Sequence, residues 1–279
     1  MLSSFIIALR EGLEAALIVG ILIAYICKTD KRHLLTYLWA GVVVAVIASG
    51  GVGGILSFTS SELSPRAEEL FAGTTSLVAV AIVTWMVFWM KRTARYLRSN
   101  LAGKVDRALI AGPFALAGAA FFAVIREGLE TSLFVYSNFK SVADPLNSAI
   151  GLIAGFGVAI ALGYLIYKSS INLDLSKFFT YTGIALIIVA AGVLSYGVHE
   201  FQELGVLPGA DFFAWDVTSV IGKESLVGGV LSGTIGFDTT TSWLQLLIYS
   251  VYLMAVVPAF PHFLAISPCR SRMTGKLKP

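Results

Sequence analysis

Apolar residues run along this chain in long blocks, not in the alternation of a soluble fold. Seven blocks are long enough to cross a bilayer as helices, at roughly 3–27, 37–58, 70–90, 112–138, 148–167, 178–198 and 243–264. Between them lie short polar segments and one long one, 199–242. The first block is not a cleaved leader, because it lacks a basic start and Arg10 and Glu11 interrupt it. The pattern predicts an all-α integral membrane protein with seven transmembrane helices.

Two blocks break their own rule, and in the same words. Arg10-Glu11-Gly12-Leu13-Glu14 stands in the first, and Arg126-Glu127-Gly128-Leu129-Glu130 in the fourth. An ionised side chain at the centre of a bilayer costs about 2.5–3.5 kcal/mol on insertion scales. Six such residues need a use, and holding a cation is one that the chemistry supports. Glu11 and Glu14 are three apart on a helix and share a face, as do Glu127 and Glu130. Bringing the two helices together would gather four carboxylates, an all-oxygen set suited to a hard cation. Each arginine is four residues before its own distal glutamate and can reach it. Two arginines against four ionised glutamates leave two negative charges for a metal to offset. An arginine–glutamate pair can also be a plain helix lock, but two copies in matching positions, each with a surplus glutamate, weigh against that reading.

The copies are 116 residues apart, and each opens a set of three helices. Three crossings bring the second set in from the opposite face, which predicts an inverted 3+3 helix repeat plus one extra helix. The expected layout is one transmembrane domain over 1–279. Repeat one covers 1–100 and repeat two 112–200, with an outer loop at 199–242, helix seven at 243–264 and a cytosolic tail at 265–279. In the loop, Asp211 to Ile221 is expected as a short amphipathic helix at the interface. Gly222 to Gly236 is expected to be irregular or re-entrant.

Composition agrees with a membrane protein: 57% of residues are hydrophobic and 13% charged, against about 25% charged in soluble domains. Charge then sets orientation. Fifteen lysines and arginines follow helices one, three, five and seven, whereas only Arg66, Lys140 and Lys223 lie on the other side. The N-terminus is therefore expected outside and the C-terminus in the cytosol. Acidic residues show the reverse bias and would draw cations to the outer mouth. Glu68 and Glu69 at the start of helix three, with His199, Glu200 and Glu203 at the end of helix six, are candidate outer capture residues. Acids at a helix start also simply suit its dipole. His199-Glu200 lacks the second histidine of a zinc peptidase helix, since Glu203 stands there. Met86 and Met90 read as packing, and Trp39, Trp85, Trp89, Trp215 and Trp243 mostly as interfacial anchors. Cys27 and Cys269 both fall on the expected cytosolic side, where no disulfide is expected.

The doubled Arg-Glu-Gly-Leu-Glu motif, with Thr84-Trp85-Met86-Val87-Phe88-Trp89-Met90 in helix three, resembles the oxidase-dependent iron transporter family over nearly the whole chain. That family comprises the fungal high-affinity iron permeases and the bacterial EfeU-type permeases. The resemblance implies an iron permease, not an enzyme, in a bacterial inner membrane. It implies Glu11, Glu14, Glu127 and Glu130 as iron ligands, supported by Arg10 and Arg126. Iron would be the transported substrate, ferrous or ferric, with no cofactor. Implied partners are a periplasmic iron-binding protein, a haem peroxidase and the lipid bilayer, with no nucleic acid. The alternatives are a permease for manganese or lead, a membrane di-iron oxidase, or a non-transporting receptor or assembly factor. The oxidase lacks its usual Glu-x-x-His pairs.

Overall fold

A computed structural model describes residues 1–61, 63–93, 112–141, 145–168, 175–218, 231 and 236–262. Most of the basic segment after helix three, most of Gly222 to Gly236 and the tail lie outside these residues. Seven long helices are present: α1 (Leu2–Lys28), α2 (Leu35–Ser61), α3 (Pro65–Thr93), α4 (Pro113–Ser141), α5 (Pro145–Tyr167), α6 (Leu175–Glu203) and α7 (Trp243–His262). Proline stands at the first position of α3, α4 and α5, where its missing N–H costs nothing. A 3-10 turn, Arg32–Leu34, joins α1 to α2. Among the described residues, five helices are long and apolar enough to cross a membrane: α2, α3, α5, α6 and α7. The other two, α1 and α4, are no shorter, at 27 and 29 residues, and carry the charged pentapeptides.

Helix α1 packs mainly on α5, α2 on α4, and α3 on α6, while α7 rests on α6. Glycines set these crossings. A Cβ on Gly41 would strike the Ala117 carbonyl of α4, and one on Gly151 would strike the Met1 carbonyl just before α1. The motif glycines work in the same way. A Cβ on Gly12 would come within 2.9 Å of Ala159 on α5, and one on Gly128 would meet the Ser49 hydroxyl of α2. Small residues let helix backbones approach where no water-driven force pulls them together. Three apolar clusters fill the bundle. One joins α3, α6 and α7 around Val83, Val87, Leu186, Ile187 and Phe260. Another seals α1, α2 and α4 around Ile18, Leu22, Ile26, Leu38, Val42, Leu116 and Ala120. The third sets Leu13 and Leu17 against Met90, Ala159 and Phe179.

The segment expected as a helix from Asp211 is instead a strand, β1 (Phe213–Asp216), paired antiparallel with β2 (Thr240–Ser242). Aromatic and β-branched residues favour a pleated pair, and the partner strand is not visible from the local pattern. The Trp215 indole donates to the Asp238 carbonyl at 3.0 Å and stacks on Phe237. Gly236, at φ +67°, lies against the backbone of Gly192. Gly192 is roughly 16 Å below the end of α6 at 1.5 Å per residue. The close of the expected irregular stretch therefore does dip into the bundle. A reciprocal cap starts α7: the Ser242 N–H donates to Gln245 Oε1, and the Gln245 N–H to Ser242 Oγ. Ser242 Oγ also donates to Gln202 of α6.

Gly41→Val should force α2 off the α4 backbone and cost about 1–3 kcal/mol. Gly54→Val, where nothing lies within 4 Å, should cost little. Thermal unfolding in detergent compares the two, and equal Tm values would contradict this packing.

Candidate metal centre

Each pentapeptide occupies the middle of its helix, because the apolar residues on both sides leave it no other depth. The structure brings the two together. One carboxylate oxygen from each of Glu11, Glu14 and Glu127 lies within 4.8 Å of the others, and all three side chains are buried. Glu130 flanks the group: its Oε1 lies 3.2 Å from Arg126 Nε, and its Oε2 is buried without a hydrogen-bond partner. Glu11 Oε2 and Glu127 Oε2 are likewise buried, and none of these oxygens has a hydrogen-bond partner among the described residues. A buried carboxylate oxygen without a donor is costly, and several around one point suit an arriving cation.

The two identical arginines do different jobs. Arg10 is 1% exposed and spans its own helix, 2.8 Å from Glu11 and 3.3 Å from Glu14. It also points an N–H at the Met86 sulfur of α3, 2.7 Å away. Arg126 is 41% exposed, pairs with Glu127 and Glu130, and lies 4.4 Å over the Trp89 ring. That stacking is a cation–π contact. Met86 and Trp89 therefore hold the motif arginines, a role that reading them as packing and anchor missed. Trp85, at 64% exposed, does face outward like an anchor. The doubled aromatic and methionine spacing, one helix turn apart, was the available signal.

A cavity of about 600 Å³ leads away from the cluster between α1, α2, α4 and α5. Glu11 and Glu127 line its inner end, while Ser57, Tyr136, Phe139 and Leu152 lie further along. Its wall is apolar except for these carboxylates and a file of hydroxyls: Ser49, Thr131, Ser132, Tyr136 and Ser57. Ser49, Thr131 and Ser132 each donate to a backbone carbonyl, so they offer the cavity their lone pairs. Tyr136 is buried, and among the described residues its hydroxyl has no hydrogen-bond partner. None of these hydroxyls stood out in the sequence, because serine and threonine are ordinary in membrane helices.

The outer candidates form a looser group. Glu68 pairs with Lys140 of α4 at 2.6 Å. His199 Nε2 lies 3.2 Å from Glu203. Glu200 is buried, accepts a hydrogen bond from the Tyr196 hydroxyl, and feels the charges of Glu203, His199 and Glu69. These five residues share one end of the bundle but make no compact ligand set like the central one.

Long apolar helices packed around a buried, under-neutralised carboxylate centre define a multi-pass helical membrane protein. The chain belongs to the iron permease FTR1 family, whose model matches residues 1–271. It is 35% identical over 263 residues to a ferrous iron permease EfeU of Yersinia pestis, covering 93% of each chain. It is 35% identical over 266 residues to the ferrous iron permease EfeU of Escherichia coli O6:H1, covering 93% of this chain and 95% of that one. The Yersinia pseudotuberculosis protein of the same name is 36% identical over 259 residues, covering 92% and 90%. No solved structure matches the chain.

Arg10→Leu should destabilise strongly, by about 3–5 kcal/mol, because it strands buried carboxylates. Arg126→Leu should cost clearly less, since that arginine is partly exposed. Thermal stability of the purified variants tests the order. A reversed order would mean that burial does not set the difference.

Proposed function

We propose that this chain is an iron permease of a bacterial inner membrane, passing iron to the cytosol through the carboxylates of its two Arg-Glu-Gly-Leu-Glu motifs. The observation that carries this reading is the meeting of Glu11, Glu14 and Glu127 from two helices around one point. Glu130 completes the set. The relatives at 35% identity are named ferrous iron permeases, which favours iron over manganese or lead. All four ligands are oxygen donors, which ferrous iron accepts. No histidine belongs to this group among the described residues, which disfavours a di-iron oxidase. The periplasmic iron-binding protein and haem peroxidase enter this reading through the family resemblance alone.

In this reading α1 and α4 cross the membrane with the other five helices, their charges neutralised inside the bundle. The N-terminus is outside and the C-terminus cytosolic, from the basic residues. Helices α1–α3 and α4–α6 then form an inverted repeat. Its support is a set of matched contacts. Gly41 meets Ala117 as Gly151 meets Met1, Gly53 meets Ser132 as Gly163 meets Ala16, and Gly128 meets Ser49 as Gly12 meets Ala159. Each partner on α4 is the α1 residue 116 positions on, and each partner on α5 is the α2 residue 110 positions on. Gly197 against Gly73 and Gly183 against Val87 repeat the offset of 110 between α3 and α6. The cavity beside Glu11 and Glu127 opens toward the outer ends of α2 and α4, and gives iron its approach.

Glu14→Gln and Glu130→Gln should each abolish iron uptake into proteoliposomes while leaving the protein folded. Glutamine keeps the size and loses the anionic ligand. Wild-type flux in either variant would sink this site.

The outer acids act in capture. The variant with Glu68, Glu69, Glu200 and Glu203 all changed to Gln should lose uptake most at low iron and recover as iron is raised. Long-range attraction fades with salt, over about 10 Å at 0.1 M, so the gap from wild type should narrow at high ionic strength. Zero uptake at saturating iron would place these acids on the obligatory path, and wild-type uptake at the lowest iron would reduce them to ordinary loop charges.

A further inference from the structure

The repeat is symmetric in its contacts but not in its spacing. A Cβ on Gly53 would stand 3.7 Å from Ser132, whereas one on Gly163 would stand 2.6 Å from Ala16, the matched pair. At this matched pair the α2–α4 contact is splayed and the α1–α5 contact is shut. The cavity follows the splayed contact, lined there by Ser132, Val135, Tyr136 and Phe139 of α4 and by Gly53 and Ser57 of α2. Shifting the α4 positions back by 116 and the α2 positions on by 110 gives Ala16, Val19, Gly20 and Ile23 of α1 with Gly163 and Tyr167 of α5. Of these, Gly163 is buried against Ala16. Val19 and Ile23 pack on the apolar cluster around Ile18, Leu22 and Leu116.

We infer that Ala16, Val19, Gly20, Ile23, Gly163 and Tyr167 line the cytosolic exit path for iron, which opens when the two repeats exchange conformations. This inference rests on the permease reading above. Repeats of one construction have two equivalent ways to pack, and the structure holds one of them. In the exchanged state the outer hydroxyl file closes and the α1–α5 contact splays. Glu127 and Glu11 trade places under the same shift, so the carboxylates stay at the inner end of whichever path is open. The two paths differ in chemistry. The shift sends Thr131, Ser132 and Tyr136 to Ala15, Ala16 and Gly20, and only Ser57 keeps a hydroxyl counterpart, in Tyr167. The exit therefore offers iron few oxygens, which shortens its stay there.

Single cysteines test this in the full-length protein with Cys27 and Cys269 changed to Ser. The probe is a membrane-impermeant maleimide, applied to right-side-out and inside-out vesicles. Val135→Cys and Ser57→Cys should react from outside. Val19→Cys and Ile23→Cys should react from the cytosolic face, about tenfold faster than from outside, because only a water-reached thiolate is nucleophilic. Ile153→Cys, 72% exposed on the outer face of α5, should react from neither side. If Val19→Cys and Ile23→Cys stay unreactive from both faces while the same vesicles take up iron, the exit path is wrong and the permease reading stands. If they react from the same face as Ser57→Cys, the exchange of repeats is wrong. Sided labelling without any iron flux would keep the path and overturn the iron assignment instead.

Discussion

The bundle is organised around six ionisable residues set among apolar neighbours in the middle of α1 and α4. They can stay only if they neutralise one another inside protein, so α1 and α4 must sit together at the centre. The two arginines cannot cancel four glutamates. Arg10 is spent on Glu11 and Glu14, and Arg126 on Glu127 and Glu130. What remains is a surplus of carboxylate oxygens, several of them buried without a donor. A fully neutralised cluster would be a lock. An under-neutralised one suits a cation, and the proposed site rests on that surplus.

The glycine inside each pentapeptide links that chemistry to the fold. Gly12 lets α5 cross α1 beside the glutamates, and Gly128 lets α2 cross α4. Without them the crossing helices would stand further off and the cavity wall would open. Shape and charge are thus written into the same five residues. The identical words still acquire different surroundings, since Arg10 meets the sulfur of Met86 and Arg126 the ring of Trp89.

The helices were legible because a membrane span is long, apolar and closed in its own hydrogen bonds, so local composition nearly determines it. All seven apolar blocks are helices with bounds close to those expected. The carboxylates were legible because charge stands out against an apolar background: Glu11, Glu14 and Glu127 do converge. What escaped depended on partners distant in sequence. Phe213–Asp216 reads as an amphipathic turn of helix until Thr240–Ser242 arrives to pair with it. Tyr136 and Ser132 look like filler until α2 and α5 enclose a space beside them. Met86 and Trp89 look like packing until two arginines come within reach. The family match over residues 1–271 agrees with the resemblance the motifs suggested.

The contact between Gly41 and the Ala117 carbonyl has a mechanical meaning. No glycine side chain stands between the two backbones, so the contact can serve as a fulcrum. From Gly41 to Gly53 along α2 is roughly 18 Å at 1.5 Å per residue, and a tilt of about 10° over that arm moves its far end by about 3 Å. That is close to the width of a water molecule. Gly151 on the Met1 carbonyl supplies a second fulcrum for α5 at the opposite end of the bundle. The helices can thus behave as two levers of nearly equal arm, pivoted at opposite ends, and a small rotation at a glycine becomes a displacement as wide as a water molecule elsewhere.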